Sequence, residues 1–166
     1  RSTLFPYTTL FRSLRLCLET LEKYVTDRTE VLDIGCGSGI LSIACLLLGA
    51  KRAFGVDIDS LAVKTAKENA KENGYTKPEF DAVVGNLSDK VSGKFNLVVA
   101  NIVADIIMEF NTQVGEFLTD DGIYITGGII ENREDEVLTS FGANGFEVIE
   151  RSEDNGWLVF ALRKAK

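Results

Sequence analysis

A short apolar run, Val31-Leu32-Asp33-Ile34, breaks into Gly35-Cys36-Gly37-Ser38-Gly39 and resumes as an apolar stretch to Leu48. No other feature constrains the fold as much. The first run predicts a strand over residues 30–35. The second predicts a helix over 39–48, apolar almost all round, hence buried, and closed by Gly49. Gly35 permits a sharp turn with positive φ, Gly37 lets a ligand approach the backbone, and Gly39 lets the helix start close to the sheet. The helix then presents unpaired N–H groups to the same space. The spacing is DxGxGxG. A dinucleotide fingerprint needs GxGxxG, whose last glycine would fall on Ile40, and no Gly-Lys-Ser/Thr is present, so this is not a P-loop. Asp33 is a poor neighbour for a pyrophosphate and a good one for a ligand with ammonium or sulfonium charge.

Strand and helix patterns alternate along the rest of the chain. Helices are predicted over residues 15–24, 60–73, through Ile106, Ile107, Phe110, Val114 and Phe117, and over 132–141. The second should bury Leu61, Ala62, Ala66 and Ala70, with its lysines and glutamates solvated. Strands are predicted over 52–57, 80–84, 95–100, 122–126, 146–149 and 157–162. The run Phe95–Ala100 is continuously apolar, as suits a strand covered on both faces. The last two strands are separated only by an Asp-Asn-Gly turn and must pair antiparallel. The expected fold class is therefore α/β: a doubly wound, mostly parallel seven-stranded sheet with an antiparallel C-terminal edge hairpin, in one domain.

Two further strand ends carry chemistry. The strand of residues 52–57 finishes in Val56-Asp57-Ile58-Asp59. In a doubly wound fold an acid there lies beside a ligand ribose and accepts its hydroxyl protons. Asp57 is the candidate, and Asp59 is assigned to capping the next helix. The apolar strand of residues 95–100 runs into Asn101-Ile102-Val103-Ala104-Asp105, where the sheet should switch direction. An amide at that point orients an amine by accepting its protons. Capping of the following helix is the plainer alternative for Asn101.

Composition excludes several mechanisms. The 166 residues include no histidine, which removes Ser-His-Asp and Cys-His catalysis and histidine-bound metals. The three cysteines, Cys17, Cys36 and Cys45, fit neither a zinc cage nor a disulfide framework. Reduced packing thiols in a cytoplasmic protein, with no metal, are expected. A net charge of −7 argues against direct nucleic-acid binding, and no apolar stretch is long enough for a membrane span.

Residues 1–13, RSTLFPYTTLFRS, back-translate into a common sequencing-adapter sequence. They are expected to be an artefact rather than part of the domain, which would run from residue 14 to 166.

The segments LDIGCGSGILSIACLLLGA, FGVDIDSLAV and VVANIVADII, in that order, resemble the class I S-adenosylmethionine-dependent methyltransferases. Together with LCLETLE near the start and GWLVFALRK near the end, they resemble more narrowly the PrmA family of ribosomal-protein methyltransferases. The resemblance implies a Rossmann-like fold with S-adenosylmethionine as cofactor. It implies Asn101 as the catalytic, amine-orienting residue. It also implies a cofactor site formed by Asp33, Gly35, Cys36, Gly37, Gly39, Asp57, Ile58, Asn86, Leu87 and Asn101, with Gly85-Asn86-Leu87 beside adenine. The family carries a Gly/His/Thr-rich segment ending in a Thr pair, where this chain has Ser13 and Leu14. It also carries an N-terminal substrate-recognition domain, expected here to be missing.

The implied function is methyl transfer to amino groups of a basic ribosomal protein, on lysine side chains or the N-terminal amine, by a monomer. A substrate lysine with a pKa near ~10.4 must arrive neutral, at a cost of about 4–5 kcal/mol at neutral pH unless the site lowers it. Three alternatives stand beside this reading. One is a methyltransferase for another protein or a small molecule on the same fold. Another is a nicotinamide-dependent oxidoreductase, and the third is an inactive fragment.

Overall fold

The run before the glycine turn forms the central strand of the sheet. In the computed structural model, which describes the backbone of residues 4–166 and side chains from residue 11 onward, this strand is β1 (Glu30–Ile34). It follows helix α1 (Leu4–Tyr24) and leads through the turn into α2 (Ile40–Leu47). Then come β2 (Arg52–Asp57), α3 (Ser60–Glu72), β3 (Phe80–Val84), β4 (Phe95–Asn101), α4 (Ala104–Asn111) and α5 (Val114–Phe117). The chain closes with β5 (Leu118–Ile130), α6 (Glu134–Ala143), β6 (Phe146–Asp154) and β7 (Trp157–Lys164).

The seven strands order as β3-β2-β1-β4-β5-β7-β6. β1 pairs parallel with both β2 and β4, and β7 pairs antiparallel with both β5 and β6. The mixed seven-stranded sheet expected from the alternation is the one observed. The order reverses between β1 and β4, which places a crevice at the carboxyl ends of those strands.

Two apolar layers sandwich the sheet. One joins Leu16, Cys17 and Leu21 of α1 to α2, α3 and alternate residues of β1, β4, β5 and β7. The other packs Ile107 and Phe110 of α4 with Val137 and Phe141 of α6, against Leu32, Val98, Tyr124 and Phe160. β4 is buried over Leu97–Ala100, as its unbroken apolar run requires.

Several elements differ from the sequence reading. α1 begins at Leu4 rather than residue 15, with Pro6 in its first turn, where a missing N–H costs no helical hydrogen bond; residues 1–3 of the expected artefact lie outside the described residues. α2 is not buried all round: Ile40, Leu47 and Leu48 are exposed. In α3, Leu61 is exposed and Val63 takes the core position with Ala66 and Ala70. The helix predicted through Phe117 breaks at Thr112; Asn111, its last residue, turns its buried carboxamide to Tyr124 and Ser140. β5 is thirteen residues long and continues through Gly127-Gly128, where the register with β7 shifts in a bulge.

Candidate active site

Register alone brings the three expected strand ends together. Ile34 is paired with Val56 on one side and with Ala100 on the other. The next residues, Gly35, Asp57 and Asn101, therefore stand at one level on three adjacent strands. β3 adds a fourth, since Asp57 pairs with Val84 and its carbonyl accepts from the Gly85 N–H at 3.0 Å.

The turn after β1 hangs from β2. The N–H groups of Gly35 and Cys36 both donate to the Val56 carbonyl, at 2.8 and 3.0 Å. This requires positive φ at Gly35 (69°), and a Cβ there would lie 2.5 Å from the Ile102 side chain. Any larger residue would push apart the β1 turn and the loop after β4. Gly39 starts α2 against α3, where an added Cβ would meet the Ala66 Cβ at 3.0 Å.

Asp57 is held with both carboxylate oxygens oriented. Oδ2 accepts from the Gly37 N–H and Oδ1 from the Asp59 N–H, each at 2.9 Å. Each oxygen keeps a lone pair, so the group is a pre-oriented double acceptor. Asp59 does cap α3, accepting from the Leu61 N–H at 2.9 Å.

Beside these groups lies a hollow of about 420 Å³. Gly35, Asp57, Ile58, Asn86 and Leu87 line it, together with the apolar side chains of Val56, Ile102, Val103 and Ile106. Leu87 holds φ at 52°, an uncommon value for a bulky residue, on the wall of this hollow. Ile58 and Val103, 74% and 63% exposed, give the rim an apolar surface open to solvent.

Not every expected residue lines the hollow. Cys36, Gly37 and Gly39 shape the turn from outside its lining. Asp33 is 2% exposed beneath the turn, where its Oδ2 accepts from the Ser42 hydroxyl at 2.6 Å. Burial pushes the Asp33 carboxyl up to about 6; the Ser42 hydrogen bond opposes this and the neighbouring charge of Asp57 adds to it. Asn101 stands at the edge, next to the lining residue Ile102, with its Oδ1 directed at Ser13. The three cysteines are buried and free. Burial pushes the Cys17 thiol up to about 12 and those of Cys36 and Cys45 higher, which suits packing rather than nucleophilic roles.

Sequence reasoning named Ser13 only as the residue standing at the family's Thr pair, and left unread its contacts with Asn101 and the Gly127-Gly128 bulge, distant in the chain. It also missed the apolar wall of Val103 and Ile106. Its signal was the run Ile102-Val103 directly after a strand end, where a loop is ordinarily polar.

A family profile described as "Ribosomal protein L11 methyltransferase (PrmA)" matches residues 11–165. The chain belongs to the PrmA family. Relatives named ribosomal protein L11 methyltransferase share 44% identity over 144 residues in Dictyoglomus thermophilum and 46% over 149 residues in Caldicellulosiruptor bescii. Those matches cover 87% and 90% of this chain but 47% and 48% of the relatives, so the chain spans about half their length. The crystal structure of a ribosomal protein L11 methylase from Lactobacillus delbrueckii superposes with a TM-score of 0.90 at 30% identity, covering 93% of this chain and 80% of that one. The fold alone is shared with TrmK of M. capricolum, solved in complex with S-adenosyl-homocysteine. That structure has a TM-score of 0.73 at 18% identity, covering 90% of this chain and 68% of that one. Among the described residues no cluster of side chains could hold a metal ion, and no helix is long and apolar enough to cross a membrane.

Proposed function

We propose that this chain is the cofactor-binding and catalytic part of an S-adenosylmethionine-dependent N-methyltransferase, acting on amino groups of a basic ribosomal protein in the cytoplasm. The observation that carries the reading is the common level of Gly35, Asp57 and Asn101 beside one apolar-walled hollow. Membership of a family whose relatives are named for methylation of ribosomal protein L11 supports the substrate class.

The residues present fit the cofactor. A nucleoside needs a flat apolar slot and a double acceptor for its ribose; Val56, Leu87 and Ile106 supply the first and Asp57 the second. A pyrophosphate fits poorly, since Asp33 and Asp57 put two carboxylates next to the glycine turn. When bound, S-adenosylmethionine supplies the methyl group and its own leaving group. The protein's part is to hold, orient and exclude water.

Gly35 lets the chain turn away from the ligand without a side chain between them. Asp57 fixes the ribose. Asn101 accepts a proton of the incoming amine through Oδ1 and aims its lone pair at the methyl carbon. The apolar rim of Ile58, Val103 and Ile106 strips water from the substrate nitrogen, which favours its neutral form.

The test is methyl transfer from labelled S-adenosylmethionine to purified ribosomal protein, compared with small amines. Asn101→Ala is expected to lower turnover at least about tenfold while changing cofactor affinity far less, the pattern of an interaction made in the transition state. Equal losses in both would remove Asn101 from the amine-orienting role. Transfer to small amines but not to the ribosomal protein would reassign the substrate.

A further inference from the structure

Ser13, the last residue of the string expected to be an artefact, lies on the buried face of α1, only 3% exposed, and both its partners are far away in sequence. Its hydroxyl accepts a hydrogen bond from the Gly128 N–H at 2.8 Å and donates one to Asn101 Oδ1 at 2.8 Å. The Gly128 N–H reaches it because Gly127 and Gly128 form the bulge between the Thr126 and Ile129 pairings of β5 with β7.

The bulge presses on the same carboxamide. A Cβ on Gly127 would lie 2.8 Å from Asn101 Oδ1, and it would also strike the Cys17 sulfur. A Cβ on Gly128, whose φ is +74°, would lie 2.7 Å from the Ile102 carbonyl oxygen and 3.2 Å from Asn101 Oδ1. Backbone without side chains thus walls one side of the amide and the Ser13 hydroxyl closes another.

This arrangement decides which way the amide faces. With the Gly128 N–H pointing at its oxygen, the Ser13 hydroxyl directs its single proton to Asn101. That proton needs an acceptor, and Oδ1 is one while the NH2 group is not. Rotating the carboxamide by half a turn would remove that acceptor and break the buried Ser13–Asn101 hydrogen bond as it stands, which is costly. One lone pair of Oδ1 is used by Ser13, and the other remains for an incoming amine.

We propose that Ser13 is a positioning residue for methyl transfer. It locks the rotation of the Asn101 carboxamide by bridging it to the glycine bulge of β5, so that Oδ1 rather than the NH2 group receives the substrate amine. This rests on the methyltransferase reading above.

The experiment compares the chain with Ser13→Ala and Ser13→Thr. Three readings are taken: amide exchange at Gly128 and the Asn101 side-chain NH2 signals by NMR, S-adenosylhomocysteine affinity by calorimetry, and turnover on the ribosomal protein. In Ser13→Ala, Gly128 exchange should quicken and turnover fall about tenfold, as for one lost buried hydrogen bond, while S-adenosylhomocysteine affinity stays within about threefold. Ser13→Thr, which keeps the hydroxyl, should restore all three, and it serves as the folded comparison if the alanine variant unfolds. The proposal is overturned if Ser13→Ala leaves the Asn101 and Gly128 signals as they were, or weakens affinity as much as turnover. A starting chain that binds no S-adenosylhomocysteine would instead sink the methyltransferase reading, and the NMR arm would still decide whether Ser13 clamps Asn101.

Discussion

Asp33 ties the glycine turn to the energetics of folding. With its carboxyl raised by burial to about 6, the folded chain holds a proton there that the unfolded chain has released between about pH 4 and pH 6. Its contribution to stability is therefore greatest at the acid end of that window and is lost as pH rises through it. Across the whole window the loss amounts to roughly 3 kcal/mol. Asp33→Asn should flatten this dependence, so that urea unfolding at several pH values shows the unaltered chain losing stability relative to the variant as pH rises; parallel slopes would contradict it. Thr126 gives a second test. Its Oγ1 is buried without a partner, so Thr126→Val should raise the unfolding free energy by about 1 kcal/mol, seen as a higher urea midpoint with an unchanged slope. That Asp57 and Asn101 close their strands at one level was legible in the sequence, because each stands where an apolar strand run ends. Ser13 was legible only as the residue at the family's Thr pair; its contact with Asn101 was not, since that partner lies 88 positions away.

Secondary structure was legible where period and punctuation agree, as in β1, α2 and β2, and failed where a tertiary contact overrides them. The pair Gly127-Gly128 reads locally as the end of a strand, yet β5 continues through it because the bulge packs on Asn101 and Cys17. The apolar spacing from Ile106 to Phe117 reads as one helix, yet it divides at a buried polar chain. The Tyr124 hydroxyl donates to Asn111 Oδ1 at 3.0 Å, and Asn111 Nδ2 donates to Ser140 Oγ at 2.9 Å. This chain ties β5, α4 and α6 together, inside an aromatic cluster in which Tyr124 meets Phe110, Phe141 and Phe146 edge-on. Tyr124→Phe keeps the ring contacts and leaves Asn111 Oδ1 unpaired, and should cost about 1–2 kcal/mol by chemical denaturation. A neutral result would mean that Asn111 finds another donor.

At the scale of the whole molecule, the alternation of strands and helices predicted the sheet, because parallel strands need crossovers and crossovers need helices. The antiparallel edge followed from the two-residue turn at Asn155-Gly156, where both residues take positive φ. Direction reverses between β1 and β4, and there Gly35, Asp57 and Asn101 meet at one level. Calorimetric titration of S-adenosylhomocysteine and NAD into the chain and its Asp57→Ala variant reads whether that meeting is a cofactor site. One S-adenosylhomocysteine should bind per chain, with an affinity at least about tenfold weaker in Asp57→Ala from the lost charge-assisted ribose contacts, and NAD should show no comparable binding. Binding indifferent to Asp57→Ala, or NAD bound in preference, would contradict it.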